Sequence, residues 1–169
     1  MLLDLLTLPT GCGKVFAMEI ERKFLVKSLP PGWKRAPHDL IRQGYFALRE
    51  KRTEIRLRQK GPEYFITVKA GWGGERLEEE IGIAKKQFTA LWPLVCEASI
   101  SKTRYRIRYG KHTIEMDVYE PPHHGLITAD VEFRSRREAD SFRPPGWFAR
   151  EITGVRRYAN QILAREGDL

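Results

Sequence analysis

Charged side chains recur at every second position in several short segments of this 169-residue chain. Glu19, Glu21 and Lys23 form the first such set, and Ile20 has the opposite parity. Residues two apart share one face of a β-strand, so this spacing gathers carboxylates and an ammonium group on one face. Carboxylate oxygens bind hard divalent cations, whereas Lys and Arg bind phosphate oxygens. The spacing therefore indicates a site for an ion, provided that this face is not simply a solvated one.

The same alternation returns in later segments, which argues against a single solvated edge. The acids at these positions are Glu19, Glu21, Glu78, Glu80, Glu115, Asp117, Asp130 and Glu132, and the bases are Lys23, Arg56, Arg58, Lys69, Arg76, Lys102 and Arg104. Oxygen ligands without suitable His or Cys favour Mg²⁺ or Mn²⁺. Arg forks and Lys point charges suit phosphate. A metal-chelated polyphosphate would provide a cation for the acids and an anion for the bases. Metals and cationic side chains assist phosphoryl transfer by neutralising the charge of the phosphate groups.

The segments that carry these residues read as strands joined mostly by short turns. Strands are predicted over 18–26, 40–46, 54–60, 64–69, 76–81, 102–107, 112–118 and 127–133. Helical spacing over 86–95, a capping box from Ser135 to Glu138 and a final amphipathic helix ending near Gly167 add three helices. We predict an α+β fold in which an eight-stranded antiparallel β-barrel closes into a tunnel with about three flanking helices.

Two orientations of the strands are open. Apolar side chains inside would give an ordinary barrel with a charged coat, which is the more common arrangement. The apolar stripes of the three helices would then have nothing to cover. We therefore favour apolar faces outward beneath the helices and charged faces lining the lumen. Glu21, Arg58 and Glu132 facing bulk solvent on a filled barrel would contradict this choice.

Composition limits the classes of protein. With 41% hydrophobic residues the chain can form one domain, predicted over 18–169, and residues 1–17 are expected to be a flexible N-terminal extension. No run reaches the roughly 20 apolar residues of a membrane span, so we expect a soluble protein. The net charge of +8 favours polyanionic partners. Cys12 and Cys96 are too few for a disulfide framework, which fits a cytoplasmic location.

An ordered set of motifs extends from about Met18 to Ala164. It includes Glu19-Ile20-Glu21-Arg22-Lys23, Arg42-Gln43-Gly44-Tyr45, Arg56-Leu57-Arg58, Thr67-Val68-Lys69, Arg76-Leu77-Glu78-Glu79-Glu80, Lys102-Thr103-Arg104-Tyr105, Glu115-Met116-Asp117-Val118, Val131-Glu132-Phe133 and Arg157-Tyr158-Ala159-Asn160. This set resembles the CYTH superfamily, the triphosphate tunnel metalloenzymes. It is most similar to the short bacterial inorganic triphosphatases, which hydrolyse tripolyphosphate to pyrophosphate and phosphate with a divalent metal.

The resemblance implies roles for matching residues. Lys23, Arg56, Arg58, Lys69 and Arg104 would grip the phosphates, and Arg76 joins them by its parity. Glu19, Glu21, Glu78, Glu80, Asp117, Asp130 and Glu132 would supply metal ligands. Tyr45 and Lys102 match a dyad that activates water. A Lys among Arg side chains has its pKa lowered by like charge, so it can accept a proton.

Structural roles compete with several of these assignments. Tyr45 can equally fill the wall of the barrel. Arg76 and Glu115 fit a structural ion pair near one mouth. Arg106 continues the parity of Arg104 to a rim position, where it would steer anions inward. His123 lies in a proline-flanked loop and is predicted to be solvated.

Other functions remain open. Within the enzymes they are thiamine or nucleoside triphosphate hydrolysis and class IV-type adenylate cyclisation, and the latter needs a base-and-ribose pocket for which no extra sequence is evident. A non-catalytic module that binds polyphosphate or RNA 5′-triphosphate is the alternative of another class. A duplex binder should cluster its basic residues on an exposed face. We therefore expect a small anionic triphosphate as partner, no membrane, no specific nucleic acid, and a monomer or homodimer.

Overall fold

Antiparallel strands make up most of the computed structural model, which describes residues 20–46, 53–72 and 75–165, with backbone alone for 70–72 and 75–77. Within these ranges there are nine strands. They are β1 (Ile20–Val26), β2 (His38–Tyr45), β3 (Thr53–Lys60), β4 (Glu63–Trp72), β5 (Glu75–Gly82), β6 (Ser99–Tyr109), β7 (His112–Tyr119), β8 (Ile127–Phe133) and β9 (Phe148–Glu151). The α+β class is therefore confirmed.

The strands form a single sheet with the order β5-β4-β3-β2-β6-β7-β8-β1-β9. The described parts of β5 and β9 are the two ends of this order and do not pair with each other. The expected strand number of eight is thus corrected to nine in the described ranges, where no pairing that would close the sheet into a barrel is seen. The additional strand has little apolar alternation, because only Phe148 of its four residues is buried. Strand β9 pairs with β1, and Arg22 makes a bidentate hydrogen-bonded contact to Glu151 with distances of 3.0 and 2.6 Å. These contacts hold β9 in place.

The described helices are short. They are α1 (Lys85–Leu91), α2 (Arg136–Ser141) and α3 (Asn160–Leu163), with 3-10 turns at Trp33–Arg35, Trp92–Leu94, Cys96–Ala98 and Arg156–Tyr158. Ser135 caps α2, since its Oγ accepts from the Glu138 N–H at 3.2 Å, but the predicted capping box is incomplete because the Glu138 carboxylate accepts from the Arg134 N–H instead. The single final amphipathic helix is corrected to a 3-10 turn followed by α3, because extended Ala159 separates them. Of the helices in the described ranges, none has the length and apolar content to cross a membrane.

Apolar side chains on one face of the sheet pack beneath the helices. Leu57 of β3 is fully buried with Phe88 of α1 and Val95. A second cluster joins Phe24 and Ile114 to residues of α2 and to the segments that flank it. Arg56, the neighbour of Leu57, is also buried, although its side chain has the opposite parity. Both faces of the sheet are therefore covered at this point of β3, and the apolar face is the one beneath helices α1 and α2.

The charged face also carries one apolar cluster, at the end covered by the C-terminal segment. Tyr45, Ile100 and Tyr119 pack there with Leu163 and Ala164. Cross-strand partners share a face, and the pairs Tyr45–Arg56 and Tyr119–Lys102 place this cluster on the charged face. The charged face is therefore not purely ionic, because the segment of α3 packs its own apolar residues against it.

His123 is buried, so the prediction that it is solvated is wrong. Its Nε2 lies 2.7 Å from the carbonyl oxygen of Leu163, to which it donates. This contact ties the β7–β8 connection to α3. The adjacent His124 is exposed.

Candidate active site

The register of the sheet brings ionic side chains from distant segments into contact. Arg104 of β6 lies opposite Asp117 of β7, and Lys23 of β1 lies opposite Asp130 of β8. Cross-strand partners point to the same side, so one face of the central sheet presents a continuous set of acids and bases. This gathering follows from the alternation along each strand, which sequence analysis identified.

Lys102, Asp117 and Arg104 form the most deeply buried ionic group on this face. The Lys102 ammonium donates to Asp117 Oδ2 at 2.5 Å, and Arg104 donates from Nε to Oδ1 and from Nη2 to Oδ2, both at 2.7 Å. The side chains of Lys102 and Asp117 are 1% and 0% exposed. Burial opposes ionisation of Asp117, but Lys102 and Arg104 together hold the pKa of this carboxyl well below its usual range.

The pKa of Lys102 moves in the direction that favours a neutral amine. Burial lowers it from its ordinary value to about 8, against the opposing effect of Asp117. Arg104 and Lys23 lower it further by repulsion between like charges. Burial also acts against the charge of Arg104, but Asp117 and Glu115 outweigh it, so the pKa of Arg104 is raised. Lys102 is therefore the base of this group that can lose its proton near neutral pH.

Asp130 extends the ionic group toward β1. Its carboxylate lies 3.0 Å from the Lys23 ammonium and 3.6 Å from Arg104 Nη2. Glu115 contacts Arg104 through Nη1, whereas the ion pair considered from the sequence joined Glu115 with Arg76, whose side chain lies outside the described residues. Arg106 pairs with Asp39 at 2.5 Å, so its charge is engaged on the protein.

Arg56 and Arg58 of β3 form a second basic group. Their Nη atoms each lie 3.7 Å from Glu80 Oε2, and Thr67 bridges Arg56 to the same carboxylate. Burial lowers the pKa of Arg58 to about 10, and repulsion from Arg56 and Arg104 adds to this shift. The Nε atoms of both arginines are buried and have no hydrogen-bond partner among the described residues. These unused donors leave the group able to bind an anion.

Several predicted site residues lie near the ends of the sheet. Lys69 contacts Glu78 at 2.5 Å, and Glu78 and Glu80 are exposed on β5. Glu21 and Glu132 lie opposite each other on β1 and β8, and both are exposed. The inverted polarity is thus seen in the buried middle of the charged face, whereas the outer acids face solvent. Glu19 and the side chain of Arg76 lie outside the described residues.

Tyr45 and Lys102 have separate partners. Tyr45 pairs with Arg56 in register and its hydroxyl accepts from Gln43 Nε2 at 2.7 Å, whereas Lys102 pairs with Ile41. Four residues of strand separate these two places, or roughly 13 Å of backbone. Burial raises the pKa of Tyr45 to about 12, so the phenol keeps its proton. Tyr45 also packs in a buried apolar cluster with Ile100 and Tyr119, which agrees with the packing role considered for it from the sequence.

Two residues beside Lys102 were not assigned from the sequence. The Tyr119 ring centroid lies 5.2 Å from Lys102 Nζ, and Asn160 Oδ1 lies 3.4 Å from it. Tyr119 continues the parity of Glu115 and Asp117, so alternation could have identified it. Asn160 closes the motif Arg157-Tyr158-Ala159-Asn160, but strand alternation gave it no role, because it reaches the site from a helix.

The acids of this face have the donor chemistry of a Mg²⁺ or Mn²⁺ site, since their ligand atoms are carboxylate oxygens. In the described residues, however, no three His, Cys, Asp or Glu side chains are grouped closely enough to hold an ion. The acids contact Lys and Arg instead, as at Asp117 and Glu78. The carboxylate oxygens are therefore suitable ligands for a metal ion. To bind one, the carboxylates would have to give up their present contacts with Lys and Arg side chains.

Most of the chain matches a known protein family. The CYTH domain matches residues 17–158, and the chain belongs to the CYTH domain family. The inorganic triphosphatase of Nitrosomonas europaea is 42% identical over 147 residues, covering 86% of this chain and 96% of that protein. The inorganic triphosphatase of Acetivibrio thermocellus is 33% identical, covering 87% of this chain and 93% of that protein.

A solved structure agrees with this assignment. The crystal structure of an inorganic triphosphatase matches with a TM-score of 0.71 at 38% identity, covering 91% of this chain and 99% of that chain. CYTH triphosphatases depend on metal in general.

Proposed function

We propose that this chain hydrolyses tripolyphosphate to pyrophosphate and phosphate with a divalent metal. The observation that carries the proposal is an excess of buried positive charge on one face. The buried and half-buried ionic side chains described on this face include the bases Lys23, Arg56, Arg58, Lys60, Lys69, Lys102, Arg104 and Arg106 and the acids Asp39, Glu54, Glu115, Asp117 and Asp130, so bases outnumber acids. Desolvated positive charge in excess requires an anion. The identity to two inorganic triphosphatases supports tripolyphosphate as that anion.

Arg56 and Arg58 carry the gripping role in this proposal. Their buried Nε donors have no partner among the described residues, and their contacts to the Glu80 carboxylate are long, at 3.7 Å. A phosphate group offers the acceptors that these forks lack. Lys23, Lys69 and Arg104, with Arg76 by parity, complete the proposed phosphate-binding set.

Carboxylates beside the basic centre are the proposed metal holders. They are the exposed Glu21, Glu78, Glu80 and Glu132 and the buried Asp130. Glu19 joins this proposed set by its parity with Glu21. A metal bound there would withdraw charge from the phosphate oxygens. Asp117 is proposed instead as the counter-ion of Lys102 and Arg104, because both of its oxygens accept hydrogen bonds from these bases.

Lys102 is the proposed base. Its neutral amine accepts a proton from water while the water oxygen forms a bond to the terminal phosphorus. The bond from this phosphorus to the bridging oxygen breaks, and pyrophosphate leaves with the electron pair. The Lys102 ammonium then returns its proton to solvent. Tyr45 stays protonated at neutral pH, so its hydroxyl would act only as a hydrogen-bond donor. The proton transfer is therefore assigned to Lys102 alone.

Closure of the sheet into a tunnel remains part of the proposal. The acids Glu78 and Glu80 lie on the end strand β5, whereas Glu21 lies on β1 beside the other end strand. A chelated polyphosphate that contacts both groups would draw the two ends of the sheet together.

The test is phosphate release from tripolyphosphate, ATP and thiamine triphosphate, each with Mg²⁺, Mn²⁺ or EDTA. We expect fastest release from tripolyphosphate and none with EDTA. Cyclic AMP formed from ATP would favour the cyclase instead. Tight binding of tripolyphosphate in EDTA without turnover in either metal would favour the non-catalytic module.

A further inference from the structure

Helix α3 reaches the buried lysine of the charged face through its first residue. Asn160 Oδ1 accepts from the Tyr119 hydroxyl at 2.8 Å and from the Lys102 ammonium at 3.4 Å. An amide oxygen has two lone pairs, so one atom can serve both donors. Asn160 lies beyond residue 158, where the match to the CYTH domain ends. The domain match therefore assigns no role to this contact, although Asn160 closes the motif Arg157-Tyr158-Ala159-Asn160.

The position of α3 is fixed by contacts that do not involve Lys102. Leu163 and Ala164 pack with Tyr45 and Tyr119 in a buried cluster. The carbonyl oxygen of Leu163 also accepts from His123 Nε2 at 2.7 Å. Packing and hydrogen bonding thus anchor the helix, and the Tyr119 hydroxyl orients the amide that the helix presents.

We propose that Asn160 is a positioning residue that fixes the direction of the Lys102 amine for proton transfer from water. The proposal rests on the function proposed above, in which Lys102 is the base. A neutral primary amine has two N–H bonds and one lone pair. Asp117 Oδ2 and Asn160 Oδ1 are the two acceptors beside Lys102 Nζ. When each takes one N–H, rotation about the Cε–Nζ bond stops and the lone pair keeps one direction.

This role predicts an effect on turnover rather than on substrate binding. Asn160 contacts Lys102 and Tyr119 through its side chain, whereas the proposed phosphate grip belongs to Arg56 and Arg58. Losing the orientation of a base by about 1 Å can reduce a rate by about a hundredfold. The KM for tripolyphosphate should then change little.

The test is steady-state hydrolysis of tripolyphosphate by the full chain and its variants. Asn160→Leu keeps similar volume and removes the acceptor, and Asn160→Asp restores an oxygen at the same place. We expect Asn160→Leu to lower kcat by about ten- to a hundredfold with KM within about twofold, and Asn160→Asp to recover at least part of the loss. Gln161→Leu, an amide-to-leucine change on the same helix, is the matched control and should keep wild-type kcat.

Tyr119→Phe provides a second route if Asn160→Leu fails to fold. Tyr119→Phe should also lower kcat. The double variant Tyr119→Phe/Asn160→Leu should lose less activity than the sum of the two single losses in transition-state free energy, because the two residues act through one contact. Unchanged kcat in folded Asn160→Leu, or equal changes in kcat and KM, would overturn the positioning role alone. A wild-type chain that does not turn over tripolyphosphate would overturn the proposed function and this role together.

Discussion

Lys102 Nζ and Asp117 Oδ2 are 2.5 Å apart in a part of the sheet where both side chains are almost fully buried. The strands place them diagonally, since Lys102 lies opposite Tyr119 and Asp117 lies opposite Arg104. Asp117 therefore balances two bases at once. Burial of an ion is costly unless its partner stays, so the pair links the stability of the sheet to the chemistry of its charged face.

Asp117→Asn should destabilise the fold. It removes the carboxylate that balances Lys102 and Arg104, and breaking a buried pair costs about 3–5 kcal/mol. Urea denaturation followed by far-UV circular dichroism measures the free energy of unfolding. Glu151→Gln is the control, because its contact to Arg22 is more exposed and should be worth less than about 1 kcal/mol. Equal stability losses in the two variants would contradict this interpretation of the pair.

The pH dependence of tripolyphosphate hydrolysis should report Lys102. The amine must be neutral to accept a proton, and its pKa is lowered to about 8 in the free protein. Activity is therefore expected to be low well below pH 8, to rise through about pH 8 and to level off above it. The measurement is kcat/KM against pH, which reports groups of the free enzyme.

Lys102→Arg controls for titration of the substrate. It keeps a positive charge and removes the base, so the rise near pH 8 should vanish together with most of the activity. A variant with wild-type rates and the same rise would assign that rise to another group.

Gly44→Ala should destabilise the contact between β2 and the turn after α1. An added Cβ would lie 2.6 Å from Val95 Cγ2 and 2.8 Å from the Val95 carbonyl oxygen. The backbone oxygen cannot turn aside, so we expect a loss of about 1–3 kcal/mol in the free energy of unfolding. Gly82→Ala is the matched control, since its added Cβ meets nothing within 4 Å. A melting temperature of Gly44→Ala equal to that of this control would refute the predicted clash.

Much of the sheet follows from period-two alternation. Arg56 and Leu57 occupy opposite faces, and both are buried because helices cover one face and ionic neighbours surround the other. The pairing of Lys23 with Asp130 follows from the same rule once the strands are in register. Alternation is informative here because acids and bases such as Asp130 with Lys23 and Asp117 with Arg104 share one face and pair across strands.

The parts that sequence reasoning missed depend on contacts without a local pattern. Phe148–Glu151 is a strand because β1 offers an edge and Arg22 holds Glu151, not because of its own alternation. Asn160 reaches Lys102 only through the packing of α3, and His123 is buried by the same helix. Barrel closure was inferred from strand number, which does not determine whether the two ends of a sheet meet.

The central claim is that the buried bases of the charged face bind triphosphate for hydrolysis. Steady-state phosphate release from tripolyphosphate by Arg58→Ala, measured beside the exposed-surface control Arg137→Ala, tests it most directly. We predict that Arg58→Ala loses about a hundredfold in kcat/KM, because one charge-assisted grip is removed, and that Arg137→Ala keeps the wild-type value. Wild-type kcat/KM in a folded Arg58→Ala variant would contradict the claim.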